Sequence, residues 1–267
     1  MDIKGKVAIV TGGGSGIGRA TSIALAAAGA SVVAADMNED GGNEIVSQIE
    51  GAGGKASFHK VDVRDRAGLD AMVAYAEKTY GGLDIIYNNA GVGTPRPIFP
   101  EALEADWQRT LEIDLWAVIA GTQAAVPALQ RRGGGVVVNT ASVAGLMSYL
   151  PDPIYAAAKH GVVGFTRSLE FLKARDNIRV NCVCPGVVDT PMVRQVDRNL
   201  SPEEIAQRDA FLKSIPLIAP ESIAEAVLQL ITDESLNGVA MSVIYGRPPR
   251  IVEAPMRFGR ADPAQRQ

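Results

Sequence analysis

A tyrosine and a lysine lie four residues apart in the stretch YAAAK, residues 155–159, with only alanines between them. Residues at i and i+4 share one helix face, so Tyr155 and Lys159 would point the same way. Asp152 and Pro153 are typical of an N-cap and a first helical position, which predicts a helix beginning just before the tyrosine. A neighbouring ammonium favours the ionised phenol, which could then act as a general acid and base. An ordinary surface pair on an amphipathic helix is the alternative.

A serine strengthens the catalytic interpretation of this pair. Ser142 precedes Tyr155 by 13 residues, across a predicted strand-to-helix loop that could bring the two hydroxyls together. Tyr155 is also the only one of the six tyrosines that has a lysine at i+4. A pair that arises by chance has no need of such a serine, so the three residues together favour proton-transfer chemistry.

A second candidate site lies in the glycine-rich stretch TGGGSGIG, residues 11–18, between a predicted strand and a predicted helix. Such a turn lets backbone N–H groups approach a pyrophosphate at a helix N-terminus. Asp36 follows Gly18 by 18 residues and ends the second predicted strand. A carboxylate there can accept both ribose hydroxyls of NAD and would repel the 2′-phosphate of NADP. A connecting turn and a capping aspartate are the alternatives.

The elements that would position these residues alternate regularly along the chain. Short apolar strands are predicted at 6–10, 31–36, 55–63, 83–91, 135–142, 177–186 and 239–244, with helices at 67–80, 104–130, 153–174 and 221–232 among those between them. This alternation predicts an α/β fold: one Rossmann-type, doubly wound parallel sheet of about seven strands with helices on both faces. Residues 1–245 are expected to form one catalytic domain, with a substrate lid at 187–215. Residues 246–267 are expected to form a tail rich in proline and arginine.

Composition argues against several other classes of protein. The net charge is −4, from 26 basic and 30 acidic residues, and without a basic block we expect no nucleic-acid partner. No apolar run reaches the roughly 18 residues of a membrane span, and the N-terminal apolar stretch is short, so we expect a cytoplasmic protein that binds no membrane. Cys182 and Cys184 are interpreted as reduced core thiols. With only His59 and His160 available, no metal site is expected.

Unusual segments follow six predicted strands in turn, where ligands bind in open α/β sheets. The chain thereby resembles the short-chain dehydrogenase/reductase family, in its compact NAD-dependent branch. The matching motifs, which cover about residues 4–192, are TGGGSGIG, the Asp62–Val63 pair, NNAG at 88–91, Ser142, YAAAK, the PG of 185–186 and the TPM of 190–192.

The resemblance implies an enzyme that interconverts a secondary alcohol and a ketone by hydride transfer with NAD. It assigns Ser142 to the substrate oxygen, Tyr155 to proton transfer, and Lys159 to the ribose hydroxyls and a lowered tyrosine pKa. The implied cofactor-binding residues are Gly12, Ser15, Gly16, Ile17, Gly18, Asp36, Asp62, Val63, Asn89, Ala90, Gly91, Tyr155, Lys159, Pro185, Gly186, Val188 and Thr190. The predicted substrate-binding residues are Ser142, Leu146, Tyr149, Tyr155 and Met192.

One position departs from the family pattern. Where the family often carries an asparagine that extends a proton relay, the stretch EIDLWAV has Asp114. A carboxylate can accept a hydrogen bond from water but cannot donate one as an amide does, and it would add negative charge near Lys159. Asp114 is predicted to be a catalytic relay member, and a buried structural acid is the alternative.

Apolar residues in the predicted substrate wall favour an uncharged, moderately hydrophobic alcohol or ketone, although Arg96, Arg194 and Arg198 leave an acidic substrate open. The resemblance implies a homodimer or homotetramer built through the two long helices. The C-terminus lacks the family's common Asp-Gly-Gly ending, so the strand-mediated tetramer interface stays open. Other functions considered are a catalytically weak NAD-binding scaffold or sensor, and a dehydratase-like or enoyl-reducing enzyme.

Overall fold

The computed structural model describes residues 1–197 and 199–254, which form one sheet covered by helices on both faces. The strands are Val7–Thr11 (β1), Ser31–Asp36 (β2), Lys55–Lys60 (β3), Ile85–Asn88 (β4), Gly135–Thr140 (β5), Ile178–Pro185 (β6), Ala240–Val243 (β7) and Arg250–Val252 (β8). Their spatial order is β3-β2-β1-β4-β5-β6-β7-β8. Every pair from β3 to β7 is parallel, and β8 alone pairs antiparallel, with β7.

Ten helices connect the described strands. They are Gly16–Ala27 (α1), Glu39–Gly51 (α2), Arg66–Tyr80 (α3), Glu104–Leu111 (α4), Ala117–Arg131 (α5), Pro153–Ser168 (α6), Leu172–Asp176 (α7), Pro191–Arg194 (α8), Pro202–Ser214 (α9) and Pro220–Thr232 (α10). The predicted doubly wound fold is therefore confirmed. The strand order reverses between β1 and β4, and this switch point is where open α/β sheets bind their ligands.

Two large apolar layers hold the sheet. On one face α1, α2 and α10 cover the sheet with residues such as Leu25, Ile45 and Val227. On the other face α3 and α5 contribute residues such as Met72 and Leu129. Because both faces are covered, the central strands are buried along their whole length, which explains why they are continuously apolar rather than alternating.

The predicted strands 55–63, 83–91 and 135–142 end earlier in the structure, at Lys60, Asn88 and Thr140. Three further elements differ from the prediction. The predicted helix 104–130 contains a π-helical turn, Glu112–Trp116, between α4 and α5. The predicted helix 153–174 ends at Ser168, and a separate helix, α7, follows. Strand β8 lies inside the segment that was expected to be only a tail, while residues 255–267 of that segment lie outside the described residues. None of the helices in the described part of the chain combines the length and apolarity needed to cross a membrane.

Candidate active site

The glycine-rich turn joins β1 to α1 at the switch point of the sheet. Gly12 has φ 63°, in the left-handed region that favours glycine, and a Cβ on Gly18 would lie 2.0 Å from the carbonyl oxygen of Gly12. Only glycine at both positions lets the chain turn this tightly into the helix. The first turn of α1 therefore presents its backbone N–H groups toward the cleft, which suits the negatively charged pyrophosphate of a dinucleotide.

Asp36 at the end of β2 is tied to the same turn. Its Oδ2 atom accepts a hydrogen bond from the Gly14 N–H at 3.0 Å, and its Oδ1 atom accepts one from the Asn38 N–H at 2.9 Å. The carboxylate is half-buried and lies beside the turn, as expected of a group that accepts ribose hydroxyls. Glycines without room for a Cβ, a free helix N-terminus and this acid together fit the adenosine half of NAD.

Hydrogen bonds between neighbouring strand ends fix the loop after β4. The backbone N–H groups of Asn89 and Ala90 both donate to Thr11 Oγ1, at 2.9 and 3.1 Å. The Asn89 side-chain amide donates to the Thr11 carbonyl oxygen at 3.0 Å. The NNAG segment is thereby held against the end of β1, facing the glycine-rich turn.

Ser142, Tyr155 and Lys159 converge where β5 ends and α6 begins. Asp152 caps α6 by accepting the Tyr155 N–H at 3.0 Å, and it also accepts the Thr94 N–H at 2.9 Å. The Ser142 Oγ accepts the Ala144 N–H at 3.1 Å, and the serine is near enough to the Tyr155 phenol to lower its pKa. The Lys159 ammonium lies 5.4 Å from the centroid of the tyrosine ring and donates to the Thr140 carbonyl oxygen at 3.1 Å. The predicted convergence of the three side chains is present in the structure.

Asp114 lies in the π-helical turn between α4 and α5 and contacts Lys159. Its Oδ1 atom is 3.0 Å from Lys159 Nζ, and the two side chains are 0% and 2% exposed, so the ion pair is almost sealed from water. The same carboxylate accepts the Val92 N–H, at 3.2 and 3.3 Å to its two oxygens. Asp114 therefore contacts the lysine directly.

Burial and charge set the ionisation of these groups. Burial raises the pKa of Tyr155, and the opposing effect of the Lys159 ammonium is partly offset by the Asp114 carboxylate. Burial is the largest single effect on the pKa of Lys159 and would lower it, but the Asp114 carboxylate and the Tyr155 phenol together outweigh burial and the net direction is upward. Burial also raises the pKa of Asp114. The pKa of Tyr155 is thus raised overall, whereas the positive charge of Lys159 alone would lower it.

A cleft of about 860 Å³ opens above these residues. Fifteen of the predicted site residues line it: Gly12, Ser15, Gly16, Ile17, Asn89, Ala90, Gly91, Ser142, Tyr155, Lys159, Pro185, Gly186, Val188, Thr190 and Met192. Gly16 and Thr190 face each other across it, since a Cβ on Gly16 would lie 3.0 Å from Thr190 Cγ2. The structure thus brings three parts of the chain to one cleft: the glycine-rich turn, the loop after β6, and the group formed by Ser142, Tyr155 and Lys159.

Seven predicted site residues do not line this cleft: Gly18, Asp36, Asp62, Val63, Asp114, Leu146 and Tyr149. Asp62 is hydrogen-bonded to Arg64 at 2.6 Å, an interaction that lowers the pKa of the carboxyl group. Leu146 packs on the small apolar cluster beneath α6, and the Tyr149 ring centroid is 6.3 Å from that of Tyr155. Of these seven residues, Asp114 contacts Lys159, which itself lines the cleft.

Sequence reasoning missed a hydroxyl pair beneath the cleft. The buried Tyr87 Oη lies 2.7 Å from Thr140 Oγ1, which is also 3.2 Å from Asn89 Oδ1. Burial raises the pKa of Tyr87, so its phenol stays protonated. The sequence signal for this pair is the tyrosine that follows two isoleucines in β4.

The sequence prediction also missed polar residues that line the cleft, namely Thr94, Asp106, Arg109, Gln195, Asp197 and Asn199.

Comparisons with known proteins agree with this geometry. Residues 6–201 match the family model described as short chain dehydrogenase. The chain is 33% identical to mouse 15-hydroxyprostaglandin dehydrogenase [NAD(+)], over 96% of this chain and 99% of that protein. It is 38% identical to cyclohexanol dehydrogenase of Acinetobacter sp. (strain SE19), over 78% of this chain and 88% of that protein. The crystal structure of levodione reductase superposes with a TM-score of 0.82, at 30% identity, over 90% of this chain and 96% of that one.

The fold and the site define a dinucleotide-dependent oxidoreductase of the doubly wound α/β class. Residues 6–201 match the family model, and relatives are similar over most of the chain. The chain therefore belongs to the short chain dehydrogenase family.

Proposed function

We propose that the protein is an NAD-dependent oxidoreductase that interconverts a secondary alcohol and a ketone. The observation that carries the proposal is the convergence of Ser142, Tyr155 and Lys159 in a cleft that also contains the glycine-rich turn. Relatives named as NAD-dependent or alcohol dehydrogenases support the same reaction. The selectivity for NAD is supported by Asp36, whose carboxylate would repel a 2′-phosphate.

Proton transfer is the part of the reaction that falls to the side chains. In alcohol oxidation the Tyr155 phenolate accepts the hydroxyl proton, and in ketone reduction the phenol returns it. Ser142, which lines the same cleft as the phenol, would hold the substrate oxygen in the same place. Lys159 supplies positive charge beside the ring, and it is the residue that would bind the ribose hydroxyls of the cofactor. The nicotinamide of bound NAD supplies the hydride chemistry.

The substrate is proposed to be an uncharged and moderately hydrophobic alcohol or ketone. The side of the cleft beyond Tyr155 carries the aliphatic side chains of Val92, Met192, Val193 and Val196. Of the three arginines that could have favoured an acid, Arg96 does not line the cleft, Arg194 is engaged by Asp189 in an ion pair, and Arg198 lies outside the described residues. Arg109 lines the cleft together with two carboxylates, Asp106 and Asp197. The substrate lid at 187–215 remains part of the proposal.

The proposal also includes further cofactor contacts, a cellular location and an assembly. Asp62 and Val63 are proposed to lie against the adenine, and Val188 and Thr190 against the nicotinamide amide. A cytoplasmic location is supported by two buried thiols, Cys182 and Cys184. A homodimer or homotetramer through α5 and α6 is supported by large apolar side chains that the single chain leaves exposed, including Trp116 and Ile119.

A change in NADH absorbance tests the proposal directly. The purified protein is assayed with secondary alcohols of graded size, cyclohexanols and a hydroxy acid among them, with NAD⁺ and NADP⁺ in parallel. We expect turnover with NAD⁺ and an uncharged alcohol, and little with NADP⁺. Tyr155→Phe is expected still to bind NADH, measured by fluorescence, and to lose about 10³-fold or more in kcat.

Two results would contradict this assignment. Turnover that persists in Tyr155→Phe would remove the tyrosine from proton transfer. Tight NADH binding without turnover on any alcohol or ketone of the panel would favour the catalytically weak scaffold or sensor.

A further inference from the structure

A carboxylate and an ammonium neutralise each other directly behind the proposed catalytic tyrosine. Lys159 Nζ has two close partners, Asp114 Oδ1 at 3.0 Å and the Thr140 carbonyl oxygen at 3.1 Å. Because both charged side chains are almost fully buried, solvent screens their interaction very little. The position of the ammonium is thus fixed from two sides.

The π-helical turn and a glycine allow the carboxylate to reach this position. In the π-helical turn the Ala117 N–H donates to the Glu112 carbonyl oxygen, five residues back, so the helix bulges where Asp114 lies. A Cβ on Gly91 would lie 2.6 Å from Asp114 Oδ1, and the Val92 N–H donates to the same carboxylate. The carboxylate is therefore enclosed by the helix, the loop after β4 and the lysine.

Few other charges act on this group from the surrounding elements. The Tyr155 phenol and the Asp152 carboxylate face it from α6 and its N-cap, and Tyr149 lies beyond the phenol. The Cys184 thiol acts on Lys159 from β6. A hydrogen bond with the neighbouring Cys182 thiol, together with burial, raises the pKa of Cys184, so the thiol is uncharged. Asp114 is thus the carboxylate in direct contact with the ammonium.

We infer that Asp114 is a positioning residue that holds Lys159 by this ion pair and cancels its charge. The Tyr155–Lys159 pair then gives up its first proton at a higher pH than it would with an amide at position 114. The expected effect on kcat rests on the proposed function, whereas the expected effect on the ionisation of Tyr155 does not.

The sign follows from charge balance. With Asp114 ionised, Lys159 protonated and Tyr155 neutral, the cluster has no net charge, and loss of a proton leaves it negative in a buried site. An amide at position 114 would make the same cluster positive, so its first proton would leave more readily, whichever residue releases it. The upward direction of the Tyr155 pKa agrees with this reasoning.

Asp114→Asn tests the inference because it removes the charge and keeps an oxygen for the Val92 N–H. Glu112→Gln is the matched control, since Glu112 lies on the exposed side of the same π-helical turn. The pH dependence of kcat for alcohol oxidation is measured for both variants. We expect the acid limb of the Asp114→Asn profile to move to lower pH by about one unit, and the control profile to stay in place.

Ionisation of the tyrosine itself supplies a measurement that needs no substrate. The phenolate absorbance of Tyr155 is titrated as the difference between each protein and its Tyr155→Phe counterpart, with and without NAD⁺. We expect the cofactor-free wild type to ionise above the ordinary phenol pKa of about 10, and Asp114→Asn to ionise at lower pH than wild type.

The two measurements separate the inference from the proposed function. A shifted phenolate titration in a protein without turnover would support the ion-pair role and contradict the proposed reaction. Equal titrations of wild type and Asp114→Asn, or equal shifts in the Glu112→Gln control, would overturn the inference. If Asp114→Asn does not fold, the wild-type titration decides alone: ionisation below the ordinary phenol pKa would overturn it.

Discussion

At the scale of single residues, Gly91 is one of the positions in the site where even a methyl group does not fit. Gly91 follows the strand end that carries Asn89, and a Cβ there would meet the Asp114 carboxylate at 2.6 Å and Lys159 Nζ at 3.6 Å. The neighbouring atoms are a buried ion pair rather than the end of a flexible side chain, so they have little freedom to move. The glycine of the NNAG motif is therefore explained here by the ion pair behind it.

Gly91→Ala is expected to lower both stability and activity. The added methyl group must displace the carboxylate, and overpacking of this kind costs about 1–3 kcal/mol of the free energy of unfolding. Displacing Asp114 also moves Lys159, so kcat should fall by more than the affinity for NADH. Chemical denaturation, steady-state kinetics and NADH fluorescence measure the three effects.

Gly93→Ala is the matched control, because a Cβ at that position would have no atom within 4 Å among the described residues. It should leave the unfolding free energy and kcat close to wild type. Equal losses in the two variants would mean that the loop after β4, not the ion pair, is sensitive to substitution.

Residue types and spacing were enough to predict that Ser142, Tyr155 and Lys159 lie together, but not the electrostatics of the group. Tyr155 and Lys159 share a face because any regular helix through YAAAK places i and i+4 together. The direct contact between Asp114 and Lys159 could not be predicted, because it depends on a π-helical turn that no proline or glycine announces. The direction of the Tyr155 pKa depends in turn on burial, which a linear sequence does not give.

At the scale of elements, the helix of the proposed lid depends on its caps more than on packing. Every residue of α9 is at least partly exposed. Ser201 and Glu204 form a capping box, in which the Ser201 Oγ accepts the Glu204 N–H at 3.3 Å and the Glu204 carboxylate accepts the Ser201 N–H at 2.8 Å. Arg208 ties the helix to the segment after α8 by donating to the Gln195 carbonyl oxygen at 3.1 Å. Local opening of α9 should therefore respond strongly to its N-cap.

Ser201→Ala is expected to loosen the lid without changing the rest of the fold. Loss of an N-cap serine costs about 1 kcal/mol, which corresponds to roughly fivefold faster hydrogen exchange in α9. Ser214→Ala, at the other end of the same helix, is the control, since its hydroxyl contacts only the Phe211 carbonyl oxygen. Exchange in α9 that is equally fast in both variants would show that the capping box does not limit its opening.

The elements that the sequence prediction missed share a physical cause. Strand β8 has three residues beside Pro248 and Pro249, and it exists because the edge of β7 offers unpaired backbone groups. The end of α6 at Ser168 likewise follows from the docking of α7 on β6, since the apolar spacing continues across the break. Long periodic elements are local properties of the chain, whereas these short ones are decided by tertiary contacts.

At the scale of the whole molecule, strand β8 closes one edge of the sheet and links it to the helix that carries the catalytic residues. β8 pairs antiparallel with β7 from Ala240 to Ser242. Arg167, in the last turn of α6, donates to the Val252 carbonyl oxygen at 2.8 Å. The C-terminal segment thus contributes to the fold through one strand, and the edge it covers is the one where a second copy of a sheet could pair.

Truncation after Gly246 is expected to expose that edge, whereas truncation after Ala254 keeps β8 and serves as the control. Loss of the strand's hydrogen bonds should cost about 1 kcal/mol, which for a domain of this size lowers Tm by about 2–4 °C. The unpaired edge of β7 should also promote association, which light scattering after size-exclusion chromatography would detect. The control should match the full chain in both measurements.

Because β8 is bonded to α6, kcat should fall slightly in the shorter protein alone. Equal Tm and equal mass for the two truncated proteins would mean that β8 adds nothing to the sheet, and that β7 is protected by its own short length.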